Sequence, residues 1–75
     1  MIEFNLQLGR NLRAERVRRG LSLWDVADMT DDEFKASVLG AYERGERAMT
    51  VVRLNELCRA YEIPMSVVLP NEDTG

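Results

Sequence analysis

A chain of 75 residues with a formal charge of −3 has room for one domain, near the lower size limit for a hydrophobic core that stands unaided. Its 45% apolar content, with few prolines and glycines, suits a compact helical domain; the single cysteine, Cys58, excludes an internal disulfide, and no Cys/His cluster can hold zinc. Without histidine, a nucleophile elbow, a phosphate loop, a membrane-length apolar run or a signal-peptide layout, the chain is expected to be a cytoplasmic protein that is not an enzyme and needs no cofactor.

Phe4, Leu8 and Leu12 recur at four-residue spacing and predict a first helix from about residue 5 to residue 19, stopped by Gly20. Glu15 stands where the stripe calls for another apolar residue, which leaves Arg16 at the edge of the core. Ser22 and Asp25 form a capping box that opens a second helix, from residue 23 to about residue 29, with Val26 and Ala27 inward. Thr30 and Glu33 repeat that pattern and predict a third helix over about residues 33–44, burying Phe34, Val38, Leu39 and Tyr42 and ending at Gly45. Thr50 caps a fourth, whose stripe is Val51, Leu54, Leu57, Cys58 and Tyr61. Pro64 allows a short last helix through Val67, Val68 and Leu69, and the tail over residues 71–75 is expected to fray. Nothing in the pattern alternates as a strand does.

Charge is separated along the chain. Residues 10–19 carry five arginines against Glu15 alone, while residues 25–33 carry five carboxylates and no cation. A partner within a Debye length feels that local field rather than the net charge. A solvated helix face would have the same composition.

Two short helices joined by a tight polar connection and buttressed by others are the arrangement of a helix-turn-helix. The stretches LGRNLRAERVRRGLSLWDVA, GAYERGER and LNELCRAYEIPMSVVLP resemble the Xre/Cro/phage-repressor class, and within it the actinobacterial developmental regulators, over about residues 6–70. The resemblance implies an all-α, lambda-repressor-like domain of five helices over residues 1–70, with the third as recognition helix. It implies a salt bridge between Arg16 and Glu43, which explains an arginine at the core edge without any ligand. It places base-reading positions at Lys35, Ala36, Ser37 and Ala41, where short side chains let the backbone approach a major groove and only Lys35 is a long polar reader. Arg44 and Arg47, at and beyond the helix end, are placed for phosphates, with Arg13 and Arg19 as weaker candidates. Leu23 stands where the class has a phosphate-binding glutamine. Asp31, Asp32 and Glu33 either cap the third helix or oppose non-specific binding to phosphates.

The function implied is a sequence-specific transcriptional regulator, a repressor binding double-stranded DNA as a homodimer on an inverted repeat, and hence nucleoid-associated. The competing expectation is a protein-interaction adaptor, antitoxin-like or sigma-factor-binding, that uses the acidic 25–33 surface and Trp24. With no effector domain in view, an excised DNA-binding domain and a stand-alone protein fit the sequence equally.

Overall fold

The computed structural model describes residues 2–70, Ile2 by its backbone alone; the frayed tail expected over residues 71–75 lies outside the described residues. The fold is all-helical, with α1 Ile2–Arg18, α2 Leu23–Met29, α3 Ala36–Glu43 and α4 Val51–Ala60. The fifth helix expected from the sequence is a single 3₁₀ turn, Met65–Val67, too short to close a regular helical ladder after Pro64.

Each helix end follows from its local chemistry. Ser22 and Asp25 close the capping box of α2: the Ser22 Oγ accepts from the Asp25 N–H at 3.0 Å, and Asp25 Oδ2 accepts from the Ser22 N–H at 2.7 Å. The Ser22 N–H foremost, and the Ser22 side chain after it, hold the Asp25 carboxyl below its ordinary value. Thr50 caps α4 by accepting from the Arg53 N–H. Gly20 and Gly45, with φ of 70° and 74°, end α1 and α3 in left-handed turns that glycine adopts without a Cβ clash.

The end of α2 departs from expectation. Thr30 does not open α3. It closes α2, donating its hydroxyl to the Val26 carbonyl at 2.9 Å. Asp31 and Asp32 follow with φ of 52° and 61°, and their N–H groups donate to the carbonyls of Asp28 and Ala27. The two aspartates therefore form the left-handed stop of α2, a conformation their short polar side chains tolerate. Helix α3 starts only at Ala36, and Phe34 is buried from the connection rather than from the helix.

The core gathers Leu8 and Leu12 from α1, Val26, Phe34, Leu39 and Tyr42 from the centre, and Leu54, Leu57, Cys58 and Tyr61 from α4. Members of the expected stripes lie outside it: Phe4 is 39% exposed, Val51 69%, and Val38 is half-buried at its edge. Val68 closes the core completely, while Asn11 fixes the chain there by donating to its carbonyl at 2.8 Å. Of the C-terminal apolar residues, Val67 and Leu69 remain exposed.

Glu15 occupies its core position as a buried carboxylate, 6% exposed. Arg19 donates to Oε1 at 2.7 Å and Arg18 to Oε2 at 2.8 Å. The hydrogen bond from Arg19, with the charges of both arginines behind it, holds the Glu15 carboxyl below its ordinary value against the cost of burial. Because the folded value is the lower one, this contribution is complete above the unfolded value and is lost as pH falls through the folded one. Glu15→Gln should therefore lower the melting temperature most at neutral pH, and the gap from the parent should narrow below about pH 4. A gap of constant size down to pH 3 would mean that the carboxylate is not held in this way.

Tyr61, 3% exposed, has a buried hydroxyl with no hydrogen-bond partner among the described residues. Burial, then the nearby Glu43 charge, pushes it up to about 12. A buried donor left unpaired costs about 1–3 kcal/mol. Tyr61→Phe should accordingly match or exceed the parent in urea unfolding; a loss above about 1 kcal/mol would reveal a partner for that oxygen.

Candidate nucleic-acid interface

α2 and α3 pack against each other, and α1 crosses the C-terminal end of α3. That crossing is close. A Cβ on Gly9 would collide with the carbonyl oxygens of Glu43 and Tyr42, so only glycine lets the two backbones meet there. Beside it, Arg16 Nε donates to Glu43 Oε2 at 2.7 Å and Nη2 donates to Oε1 at 2.9 Å. Its remaining nitrogen, Nη1, donates to the Leu21 carbonyl at 2.8 Å, which ties the start of the α2 connection to the same point. Both side chains are largely buried, at 12% and 7% exposure.

The opposite end of α3 is fixed from α4. Arg53 lays its guanidinium over the Phe34 ring, 4.1 Å from the centroid, and Nη2 donates to the Glu33 carbonyl at 2.7 Å. Nη1 pairs with Glu56 at 3.1 Å. The connection that delivers Lys35 to the start of α3 is therefore clamped to a stable helix. Nothing periodic marks the contacts of Arg53 with Glu33 and Phe34, which lie about 20 residues before it.

Between these clamps α3 presents an outer face of small residues. Ala36, Ser37 and Gly40 line one open depression together with Lys35, Arg44, Leu23 and Trp24. Gly40 matters here: a Cβ would fall 2.9 Å from Arg44 Nη1, so the Arg44 side chain folds back along the helix over that glycine. Arg44 thus reaches the small-residue face rather than projecting past the helix end, with an exposed pairing to Glu46 at 3.1 Å. Arg47 lines a second depression with Lys35, Thr50 and Arg53. Lys35, the residue that precedes α3, borders both. Neither Lys35 nor Arg47 has a carboxylate partner among the described residues.

The remaining candidates divide. Ala41 is half-buried and lines neither depression; its carbonyl accepts from the Glu46 N–H in the turn at Gly45. Arg19 is held by Glu15 and lies over the Tyr61 ring, 5.5 Å from its centroid, which makes it a poor reader of a distant phosphate. Arg13 is exposed and, by helical spacing, shares the flank of α1 with Gly9 and Arg16, beside the end of α3. Leu23 packs against the core and offers no hydrogen bond at the start of α2.

The family model described as "Helix-turn-helix domain" matches residues 7–68. The chain belongs to this helix-turn-helix family. Among solved structures it is similar to the crystal structure of the DNA-binding domain of BldD, at 47% identity and a TM-score of 0.90, covering 93% of this chain and 99% of that one. It is also similar to the S. venezulae BldD DNA-binding domain, at 48% identity and a TM-score of 0.86, covering 91% and 99%. A comparison with curated proteins found no match.

The Arg16–Glu43 joint, with the bond from Arg16 to Leu21, ties α3 and the connection to α2 to α1. Glu43→Ala strands a buried guanidinium and should cost about 3 kcal/mol, enough to lower the melting temperature by well over 10 °C in a domain of this size. A variant that melts with the parent would show that the pair orients nothing.

Proposed function

We propose that this chain is a non-enzymatic, sequence-specific regulator of transcription that sets α3 in the major groove of double-stranded DNA. The observation that carries the reading is the outer face of α3: small side chains at Ala36 and Ser37, Gly40 buried beneath Arg44, and Lys35 and Arg47 around them, on a fold close to that of a DNA-binding domain. Small residues let a helix backbone approach base edges, where alanine meets thymine methyls and serine donates or accepts. Arg47 and Arg13 supply phosphate contacts that fix register, Arg44 lies near enough to the reading face to touch either kind of group, and Lys35 is the long base reader.

The acidic segment supports this reading better than the adaptor reading. The backbone turn at Asp31 and Asp32 explains their presence without a partner, since few residue types adopt the left-handed conformation twice in succession. Their carboxylates stay near the interface and oppose phosphates that approach off register, which favours discrimination over affinity.

The regulator acts as a repressor in the nucleoid, two copies occupying half-sites roughly 34 Å apart, one helical turn, on an inverted repeat. Val67 and Leu69, the exposed apolar residues at the C-terminal end, are the surface assigned to pairing.

Selection of bound duplexes from a random-sequence pool, followed by titrations at several salt concentrations, tests the reading. Arg47→Ala should weaken all duplexes alike and flatten the salt dependence by about one unit, whereas Lys35→Ala should change the ranking of duplexes. Selection that enriches no sequence would overturn the proposal. Identical behaviour of the two variants would remove Lys35 from the base readers.

A further inference from the structure

We infer that Trp24 is part of the nucleic-acid interface, its indole packing on the sugar–phosphate backbone at the edge of the groove that receives α3. The inference rests on the DNA-binding reading and adds to it a residue with no assigned role there. Trp24 is the chain's single tryptophan and is 74% exposed, the largest exposure among its big apolar residues. An indole left in water at the second position of α2 adds nothing to the core, and exposed large apolar surface of this kind marks contact sites.

Its placement narrows the partner. On one side Trp24 lines the depression shared with Lys35, Ala36, Ser37 and Arg44. On the other it borders Asp25, Asp28 and Asp32. A ligand seated on α3 therefore meets the indole beside Asp32, which lines the same depression, and meets Asp25 and Asp28 only beyond the ring. Deoxyribose presents apolar C–H surface beside each phosphate, and the indole presents a flat ring with one N–H donor and no acceptor to repel an anion. The ring can thus cover a sugar while Nε1–H donates to the adjoining phosphate. Asp25 and Asp28 behind it bar phosphates from moving further across α2. A protein partner seated on the acidic side would cover the same ring from the opposite direction, so the two occupants are separable by experiment.

Trp24 is also the sole indole fluorophore, so contact can be read directly. The probe is a fluorophore-labelled duplex recovered by the selection described above. Anisotropy of the duplex reports binding, and emission and acrylamide quenching of Trp24 report contact. Binding should shift Trp24 emission to the blue and shield it from acrylamide. Trp24→Ala should weaken the selected duplex about tenfold, a difference of about 1.4 kcal/mol, with an unchanged circular dichroism spectrum because the ring is exposed. Trp24→Phe, which keeps the flat ring and loses the donor, should fall between the two. A duplex that binds while Trp24 emission and quenching stay those of the free protein would overturn the inference and leave the DNA-binding reading standing. Unchanged affinity in Trp24→Ala would do the same and return the acidic side to a protein partner. Failure of every duplex to bind would overturn both.

Discussion

The joint at which α1 crosses the end of α3 governs the rest of the molecule. Gly9 lets the backbones touch, and Arg16 and Glu43 lock the crossing with two parallel hydrogen bonds. The third nitrogen of Arg16 reaches Leu21, so a single guanidinium sets the positions of three segments. A buried ion pair adds little net stability over a well-packed apolar pair, because desolvation of both charges offsets their attraction. Its larger effect is on geometry. Two bonds in a planar fork leave α3 almost no freedom to rotate about its axis, and rotation by one residue would turn Ala36, Ser37 and Gly40 away from the outer face.

The turns between helices show what pattern reading can and cannot resolve. Gly20 and Gly45 were legible as helix ends because glycine is the residue that left-handed backbone favours. The end of α2 was not legible. Thr30 and Glu33 have the residue types and spacing of a capping box, and the same letters serve equally as a C-terminal cap followed by two left-handed aspartates. Which one forms depends on Phe34, whose burial under Arg53 keeps the connection out of the helix until Lys35. That tertiary contact shortens α3 at its start relative to the expectation and leaves Lys35 just ahead of the helix. Glu62 ends α4 with a φ of 61° in the same manner, again without a glycine to announce it.

The candidate interface was legible where it depends on residue size and illegible where it depends on pairing. Small residues flanked by cations are visible in the letters, and Lys35, Ala36 and Ser37 do share one depression. Arg44 stands at the helix end as expected, and its side chain folds back along α3 because Gly40 leaves room for it one turn earlier. Arg19 has the same letter as Arg13 but a different environment, since a carboxylate four residues before it is buried rather than solvated. Gly9, Gly40 and Arg53 act through partners on other elements or across a turn, and a periodic stripe carries no record of such partners.

The internal pairings also change what the charge separation means. Of the five arginines between residues 10 and 19, Arg16, Arg18 and Arg19 are paired with Glu43 or Glu15. The basic side of the molecule is therefore thinner than its composition suggests, and the cations left without a carboxylate near α3 are chiefly Arg13, Lys35 and Arg47. On the proposed interface, each phosphate neutralised contributes a salt-dependent increment through counterion release, so a surface with so few free cations holds random DNA weakly. The five carboxylates of residues 25–33 reduce that hold further. A single copy in this arrangement gains little from the phosphate backbone and must rely on the small contact area of α3. Two copies on one duplex double both contributions while the spacing of their half-sites adds a geometric condition that random DNA does not meet. On the proposed reading, an acidic domain of this design gives up affinity for DNA in general, and its occupancy would follow the sequence and spacing of the site rather than the charge of the polymer.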